Sequence, residues 1–243
     1  DSYNTDNFAA AGAGTVIDSL YAIKKAVYED KITTFGHLLK AMKEDFRDDE
    51  ILRQYLLHKV PKFCKDKDAT EFGKKVMDDL AECLGGQANY RGGKFEPSLF
   101  AFYSYNWFKN VTIATADGRK SESALSRGVN PSESTENINI AALLDAIKTM
   151  DYTKYPGGAV IYMDIPLMYK TPQPSLFASV MRAFCENGGS IMDFNVISRN
   201  ALLEAQKNPE THKNIVVRVC GYSAYFHTLT AEMQNEVIQR TQR

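Results

Sequence analysis

A single glycine stands inside an apolar run near the end of the chain. Residues 216–226 read VVRVCGYSAYF, so Gly221 has valines on one side and aromatic residues on the other. Glycines of ordinary turns are accompanied by Asn, Asp or Pro, whereas these neighbours favour strands. By the general rules for strand glycines, Gly221 marks a bulge or a tight bend that another backbone approaches closely. The run predicts a loop with Gly221 at its tip, enclosed by strands.

The residues around this glycine form a specific pattern that extends without a gap over 215–241. The neighbours that carry it are Arg218, Val219, Cys220, Tyr222 and Ser223. The segment resembles the C-terminal motif of the glycyl radical enzymes, a family that includes pyruvate formate-lyase and the glycerol, propanediol and choline lyases. In that family the motif glycine carries a stable carbon-centred radical. The resemblance therefore implies that Gly221 is the radical site and that its neighbours support the radical loop.

The chemistry of such a radical explains the need for glycine. A Cα radical is stabilised when it delocalises into the preceding amide nitrogen and its own carbonyl, which requires a flat centre. A side chain would crowd that geometry, and only glycine freely reaches unusual backbone angles. Apolar neighbours are expected to shield the radical from water and oxygen: Val217, Val219, Tyr225 and Phe226. Cys220 is interpreted as structural, because the family keeps its radical-accepting cysteine on a separate loop.

Composition limits the partners that a chain of this kind can have. Its 29 basic and 30 acidic residues nearly cancel, so nucleic-acid binding is not expected. The four cysteines lack a paired spacing, which argues against a zinc site or an iron–sulfur cluster in the chain. No signal peptide or membrane-length apolar run is found, so a cytoplasmic protein with no bound metal or cofactor is expected.

Apolar periodicity predicts helices along the first part of the chain and alternating helices and strands later. The predicted helices cover 15–29, 34–46, 48–57, 68–84, 139–150, 174–187 and 230–241, with Thr34 and Thr230 as N-caps, and the predicted strands cover 159–163 and 191–197. This alternation indicates an α/β architecture with parallel strands. The family resemblance implies more, namely the C-terminal part of a ten-stranded barrel of two parallel half-barrels with the glycine loop inside. It divides the chain into barrel sequence at 1–190 and a glycine radical domain at 191–243.

An aromatic segment at 97–108 is predicted to be a strand with both faces covered. Period two places Tyr103, Tyr105 and Trp107 on one face. The resemblance implies that these three line the substrate pocket, while ordinary core packing is the competing interpretation.

Two further motifs contain glycine. The run at 11–15, AGAGT, precedes a helix and allows either a phosphate-binding loop or a flexible helix entry. The second interpretation is favoured, because no strand pattern precedes the run. The segment Asp117-Gly118-Arg119 predicts a tight turn whose arginine pairs with a neighbouring loop or carbonyl, and we expect it to brace the glycine loop.

The resemblance implies a C-terminal fragment or subunit of a glycyl radical enzyme, because the family's members are several times longer. Its partners would be a small-molecule substrate, an N-terminal portion bearing the cysteine loop and a radical S-adenosylmethionine activating enzyme, in a homo-oligomer of the complete enzyme. The dehydratase and amine-lyase branch is favoured by residues 223–226, SAYF. The alternatives are the decarboxylase or formate C-acetyltransferase branch, a replacement subunit that rescues an oxygen-damaged enzyme, and a scaffold without activity.

Overall fold

The computed structural model describes residues 4–100, 104–132, 134–135, 140–164, 174–219 and 221–241. The chain divides into two compact units. Unit 1 comprises Asp1–Ile161 and Arg182–Ile191, and unit 2 comprises Tyr162–Met181 and Met192–Arg243. This division follows spatial contacts, whereas the predicted boundary between 190 and 191 divides the chain by role and stays a prediction.

Unit 1 is mainly helical in its described part. Its elements are β1 (Thr5–Ala9), α1 (Ala13–Ile23), a π-helix (Lys24–Glu29), α2 (Phe35–Lys43), α3 (Glu50–His58), α4 (Lys67–Leu84), β2 (Lys94–Ser98), α5 (Ser104–Trp107), α6 (Ile140–Thr149) and a 3₁₀ turn (Tyr152–Lys154). The helices predicted up to residue 84 are confirmed within a few residues. Thr34 caps α2 as predicted, because its hydroxyl accepts the His37 N–H at 3.2 Å.

The sequence predicted only part of the parallel strand pair in this unit. β1 pairs with β2 in parallel, from Thr5 opposite Lys94 to Ala9 opposite Ser98. A strand therefore precedes the glycine run at 11–15, although the sequence before that run has no strand pattern. The five residues of β1 are mostly exposed and lack an apolar alternation, so backbone pairing with distant β2 holds them extended.

The core of unit 1 is built from apolar faces of its helices and of the turns between them. The buried cluster contains Tyr21, Ala22, Ala26, Leu38, Ala41, Phe46, Leu52, Leu56, Val60, Ala69, Ala114 and Ala116. Its members recur at helical spacing, which is why the periodicity of the sequence locates these helices well. Val60, Ala114 and Ala116 belong to this cluster, so the turn at Asp117 adjoins the same core.

The π-helix continues α1 and closes with wider hydrogen bonds. The Asp30 N–H donates to the Lys25 carbonyl at 2.8 Å, a span of five residues in place of the four of an α-helix. Ala26 remains fully buried inside this turn, while Tyr28 is exposed.

Unit 2 contains the glycine motif, and three elements lie across its boundary with unit 1. Those are β3 (Val160–Asp164), α7 (Pro174–Glu186) and β4 (Ile191–Asn195), and β3 and β4 are neighbours in one sheet. Farther along follow α8 (Arg199–Lys207), a 3₁₀ turn (Pro209–Thr211), β5 (Val216–Arg218), β6 (Ser223–Tyr225), a 3₁₀ turn (Phe226–Thr228) and α9 (Ala231–Arg240). Thr230 caps α9 as predicted, accepting the Met233 N–H at 3.3 Å.

Candidate functional site

The glycine motif folds into a short hairpin. β5 and β6 pair in antiparallel fashion, with Val216 opposite Tyr225, Val217 opposite Ala224 and Arg218 opposite Ser223. Beyond these pairs, the Val219 N–H donates to the Tyr222 carbonyl at 2.9 Å. Gly221 lies between those two residues, so the predicted position of this glycine at the tip of a loop is confirmed.

The backbone at the tip explains why a glycine occupies it. Gly221 has φ of +79°, in the left-handed region that residues with a Cβ rarely adopt. Gly221 and Tyr222 are exposed in this chain, and Tyr222 retains 48% of its surface. The predicted burial of the tip concerns a complete assembly and stays a prediction.

The hairpin has one buried face and one exposed face. Val217 and Val219 are each 1% exposed, and Phe226, just after β6, is fully buried. The part of Tyr225 in the apolar wall around the radical stays a prediction for a complete assembly, and in this chain Tyr225 is 54% exposed. The reason is the two-residue period of the strand, which places Tyr225 with its partner Val216 on the outer face.

A buried carboxylate from β4 holds this hairpin. Asp193 Oδ1 accepts a hydrogen bond from Arg218 Nε at 3.0 Å, and Oδ2 accepts the Gly221 N–H at 3.3 Å. The Asp193 side chain is 4% exposed and that of Arg218 is 36% exposed, so the ion pair lies half inside unit 2. Asp193 therefore connects the end of β5 to the tip of the loop.

Sequence reasoning missed Asp193. One signal for it was available, because Asp193 and Asn195 alternate in a strand whose other residues are apolar. Both are buried, at 5% and 7% exposure. An acidic residue on the covered face of a strand needs a partner, and that requirement identifies such a position as a candidate before its partner is known.

The remaining predicted support residues are placed as follows. Ser223 Oγ accepts a long hydrogen bond from Arg218 Nη1 at 3.4 Å, and Val219 contributes to the buried face. Cys220 lies outside the described residues. Their roles in supporting a radical loop stay predictions.

The aromatic segment at 97–108 begins at the end of β2, at Pro97 and Ser98, but residues 104–108 do not continue as the predicted strand. Residues 104–107 form α5, and the Lys109 and Thr112 N–H groups then close turns on Asn106 and Phe108, each at 3.1 Å. These local turns compete successfully with the strand preference of the aromatic residues. The period-two faces proposed for the segment therefore do not apply to it.

Of the three predicted pocket residues, the structure places one side chain. Trp107 is 69% exposed, at the end of α5 in unit 1. Tyr105 lies in the same helix, and Tyr103 lies outside the described residues. An indole this open is not packed as a core residue within the chain, and its place in a substrate cavity stays a prediction.

The Asp117-Gly118-Arg119 turn is the centre of a buried polar network in unit 1. Asp117 is fully buried, and its carboxylate accepts hydrogen bonds from the hydroxyls of Ser19, Thr115, Ser132 and Ser134. Arg119 is 2% exposed and donates to the Ile113 carbonyl at 2.7 Å. The prediction that this arginine pairs with neighbouring carbonyls is confirmed, whereas a bracing of the glycine loop stays a prediction.

A second buried carboxylate adjoins that network. Asp18 accepts the Phe63 N–H at 2.7 Å and the Thr135 hydroxyl at 3.0 Å. Burial raises the pKa of Asp18 to about 6, although Lys62 opposes the shift. Burial also lowers the pKa of Lys62, whose ammonium donates to the Asp117 carbonyl at 2.8 Å. The group is thus a structural cluster whose charges are costly to keep away from water.

The glycine run at 11–15 serves helix entry rather than phosphate binding. Gly12 precedes α1 with φ of +86°, and the Thr15 N–H is already bonded to Ser126 Oγ at 3.0 Å. A Cβ on Gly14 would lie 2.2 Å from the Asn130 carbonyl oxygen, so a backbone segment fills the space beside the helix start.

Two further properties of the described residues concern metal binding and membrane insertion. Within these parts of the chain, no three His, Cys, Asp or Glu residues gather as a metal-binding group. None of the helices described is both long enough and apolar enough to cross a membrane.

Two family models match the chain in tandem. The model described as Pyruvate formate lyase-like matches residues 1–109, and the model described as Glycine radical matches residues 125–227. The second match contains the hairpin and Asp193, and the first contains α1 to α4.

Similar proteins match along nearly the whole chain. The trans-4-hydroxy-L-proline dehydratase of Clostridioides difficile is 30% identical, over 99% of this chain and 31% of its own length. The isethionate sulfite-lyase of Nitratidesulfovibrio vulgaris is 33% identical, over 99% of this chain and 30% of its own length.

One solved structure illustrates the likeness in three dimensions. The glycerol-bound form of the B12-independent glycerol dehydratase from Clostridium butyricum matches with a TM-score of 0.87 and 31% identity, over 98% of this chain and 30% of that one. The chain thus spans about 30% of the length of the relatives that it matches. The agreement confirms the predicted α/β fold class.

Proposed function

Since the chain belongs to the glycyl radical enzyme family, we propose that it is the C-terminal portion of such an enzyme and that Gly221 stores the radical. In this proposal residues 1–190 contribute to the barrel and residues 191–243 form the glycine radical domain. The main support for this proposal is the tip of the hairpin. There Gly221 has φ of +79°, and its N–H donates to the buried carboxylate of Asp193.

The geometry suits hydrogen-atom exchange at the Gly221 Cα. Gly221 has no side chain and lies at the exposed tip of the loop. Its Cα is flanked by two peptide groups that delocalise an unpaired electron. Val219 and Phe226, both buried, give the base of the loop an apolar support. In the complete enzyme the radical centre accepts a hydrogen atom from a cysteine thiol on the portion that precedes this chain. One S–H bond breaks and one C–H bond forms, which leaves a thiyl radical to attack the substrate.

The substrate is a small organic molecule, and the reaction is a radical elimination. The dehydratase and amine-lyase branch is favoured by residues 223–226 and by relatives whose names describe a dehydratase and a sulfite-lyase. A replacement subunit is disfavoured, because the similarity begins well before the glycine motif, at residue 1 of the chain. Tyr103, Tyr105 and Trp107 contribute to the substrate pocket, and the complete enzyme is a homo-oligomer.

The radical is installed by a radical S-adenosylmethionine activating enzyme. To test this, the complete enzyme is incubated anaerobically with its activating enzyme, S-adenosylmethionine and a reductant. We expect a paramagnetic doublet from coupling to the one α-hydrogen that remains on Gly221. Incorporation of α-deuterated glycine should collapse the doublet, and air should cleave the backbone at Gly221 to release a peptide that begins near Tyr222.

A matched glycine is available as control. Gly92 also has φ of +79°, and a Cβ added there meets nothing within 4 Å, so Gly92→Ala introduces comparable backbone strain far from the motif in sequence. We expect Gly221→Ala to abolish the signal and the cleavage, while Gly92→Ala retains both. The same radical in the Gly221→Ala variant would overturn the proposed function.

A further inference from the structure

The buried face of β4 carries an acidic residue, Asp193. Asp193 is 5% exposed, and taking an ionised carboxylate out of water is costly unless it is paired and hydrogen-bonded. The hairpin supplies both requirements. Arg218 Nε lies 3.0 Å from Oδ1, and the Gly221 N–H reaches Oδ2 over 3.3 Å. The two oxygens of one carboxylate thus serve two positions of the same loop.

This arrangement acts on the Gly221 amide in two ways. A hydrogen bond to a charged acceptor fixes the plane of the peptide group that enters Gly221, and thereby restrains rotation about the N–Cα bond. It also draws the amide proton toward the carboxylate, which raises electron density on the nitrogen. In an α-carbon radical the amide nitrogen donates electron density to the radical centre, and the carbonyl group on the other side withdraws it. Both effects stabilise the radical.

We propose that Asp193 is a positioning residue for the radical glycine, which it orients and stabilises through the Gly221 N–H, and that the ion pair with Arg218 holds the Asp193 carboxylate in place. The inference rests on the proposed function of Gly221 and adds a residue to it. Radical formation breaks one Cα–H bond of Gly221 homolytically, and the hydrogen atom leaves with the oxidising radical of the activating enzyme. Asp193 neither gains nor loses a proton or an electron in this step.

The conservative replacement Asp193→Asn separates charge from shape. The amide has the size of the carboxylate and retains one acceptor oxygen, but it offers no negative charge to the Gly221 N–H. In the complete enzyme, activated as above, we expect the amount of radical per chain at equal activation time to fall about tenfold, as when a charge-assisted hydrogen bond is replaced by a neutral one. With ¹⁵N-labelled glycine, the nitrogen coupling of the residual radical should also decrease, because less spin density reaches the amide.

Two further variants distinguish positioning from a merely structural role. Thr230→Ala removes the cap of α9 in the same unit without touching the loop, so it should leave the radical yield and the ¹⁵N coupling unchanged. Asp193→Glu retains the charge, and we expect it to recover the coupling and part of the yield. It also serves as the decisive variant if Asp193→Asn does not fold.

The possible results distinguish a failure of the role proposed for Asp193 from a failure of the function proposed for Gly221. A wild-type enzyme that forms no radical overturns the proposed function, and this inference with it. A normal wild-type radical together with unchanged yield and ¹⁵N coupling in Asp193→Asn overturns this inference alone. An Asp193→Glu variant with the same radical yield and ¹⁵N coupling as Asp193→Asn overturns the role assigned to the charge.

Discussion

Two buried carboxylates, one in each unit, are satisfied by different kinds of partner. Asp117 accepts hydrogen bonds from four hydroxyls, of which that of Ser132 is buried at 2% exposure and the other three are half-buried. Asp193 pairs with Arg218, whose side chain is 36% exposed, and with the N–H of exposed Gly221. The hydroxyl donors around Asp117 are buried or half-buried, whereas Arg218 keeps about a third of its side chain in solvent and Gly221 is exposed.

The difference separates a structural network from one that holds an accessible loop. A buried donor that loses its acceptor retains the full cost of desolvation, while an exposed donor exchanges its partner for water. The Asp117 network therefore contributes mainly to stability. The Asp193 contacts contribute less to stability and are suited to orienting Gly221.

Removal of each carboxylate gives the largest expected contrast. We expect Asp117→Ala to lower the free energy of unfolding of its region by about 3–5 kcal/mol, because one buried and three half-buried hydroxyls lose a fully buried acceptor. Asp193→Ala should cost about 1 kcal/mol, since its partners turn to solvent. Urea denaturation followed by hydrogen exchange of the 112–135 and 216–226 segments measures both, and equal costs would contradict the distinction.

Glycines provide the next contrast, because the two regions need them for different reasons. Gly14→Ala places a Cβ 2.2 Å from the Asn130 carbonyl oxygen, and we expect a loss of about 3 kcal/mol as the backbone shifts. Gly221→Ala puts a Cβ on a residue with φ of +79°, and we expect this backbone strain to cost about 1–2 kcal/mol. Gly36→Ala is the control: it lies in α2 with no atom within 4 Å of its Cβ, and it should stabilise by about 0.5–1 kcal/mol. Thermal unfolding of the three variants tests the order.

The pH dependence of unit 1 gives a smaller effect with a definite sign. The pKa of Asp18 is raised by burial from 3.8 to about 6, so the folded chain retains a proton that the unfolded chain releases in this window. The contribution of Asp18 is therefore complete below pH 4 and is lost as the pH rises through 6. Relative to Asp18→Asn, the wild type should lose roughly 2 kcal/mol between pH 4 and 7. A pH-independent difference between the two proteins in urea titrations would exclude this titration.

Helix caps give the smallest expected effect and should not distinguish the units. Thr34 caps α2 in unit 1 and Thr230 caps α9 in unit 2, with N–H to hydroxyl distances of 3.2 and 3.3 Å. Replacement of either by alanine should cost about 1 kcal/mol. If hydrogen exchange shows a much larger cost at one cap, then that helix is coupled to the network of its unit rather than stabilised locally.

The sequence allowed the local features of the chain to be predicted. The helices follow from apolar periodicity, the caps at Thr34 and Thr230 follow from residue type, and the hairpin follows from two strand-forming runs around Gly221. Each depends on residues within a few positions of one another. For the same reason, the turn at Asp117 and the carbonyl contacts of Arg119 were accessible to prediction.

What the sequence concealed depends on distant partners or on competition between them. β1 is extended because β2, some 90 residues away, pairs with it. Asp193 matters because the hairpin brings Gly221 to its carboxylate across 28 positions of sequence. The strand prediction for the aromatic residues after Ser98 was wrong for a different reason. Turns at Asn106 and Phe108 outweigh the strand preference of individual side chains.

The π-helix at Lys24–Glu29 has a consequence for how the chain tolerates changes in length. A π turn holds one residue more than an α turn, so the deletion of one residue here converts the wide turn into ordinary helix. Residues on either side keep their rotational phase, and Ala26 or its replacement still faces the core. We therefore expect the end of α1 to accept the insertion or removal of one residue without a rearrangement of the protein around it.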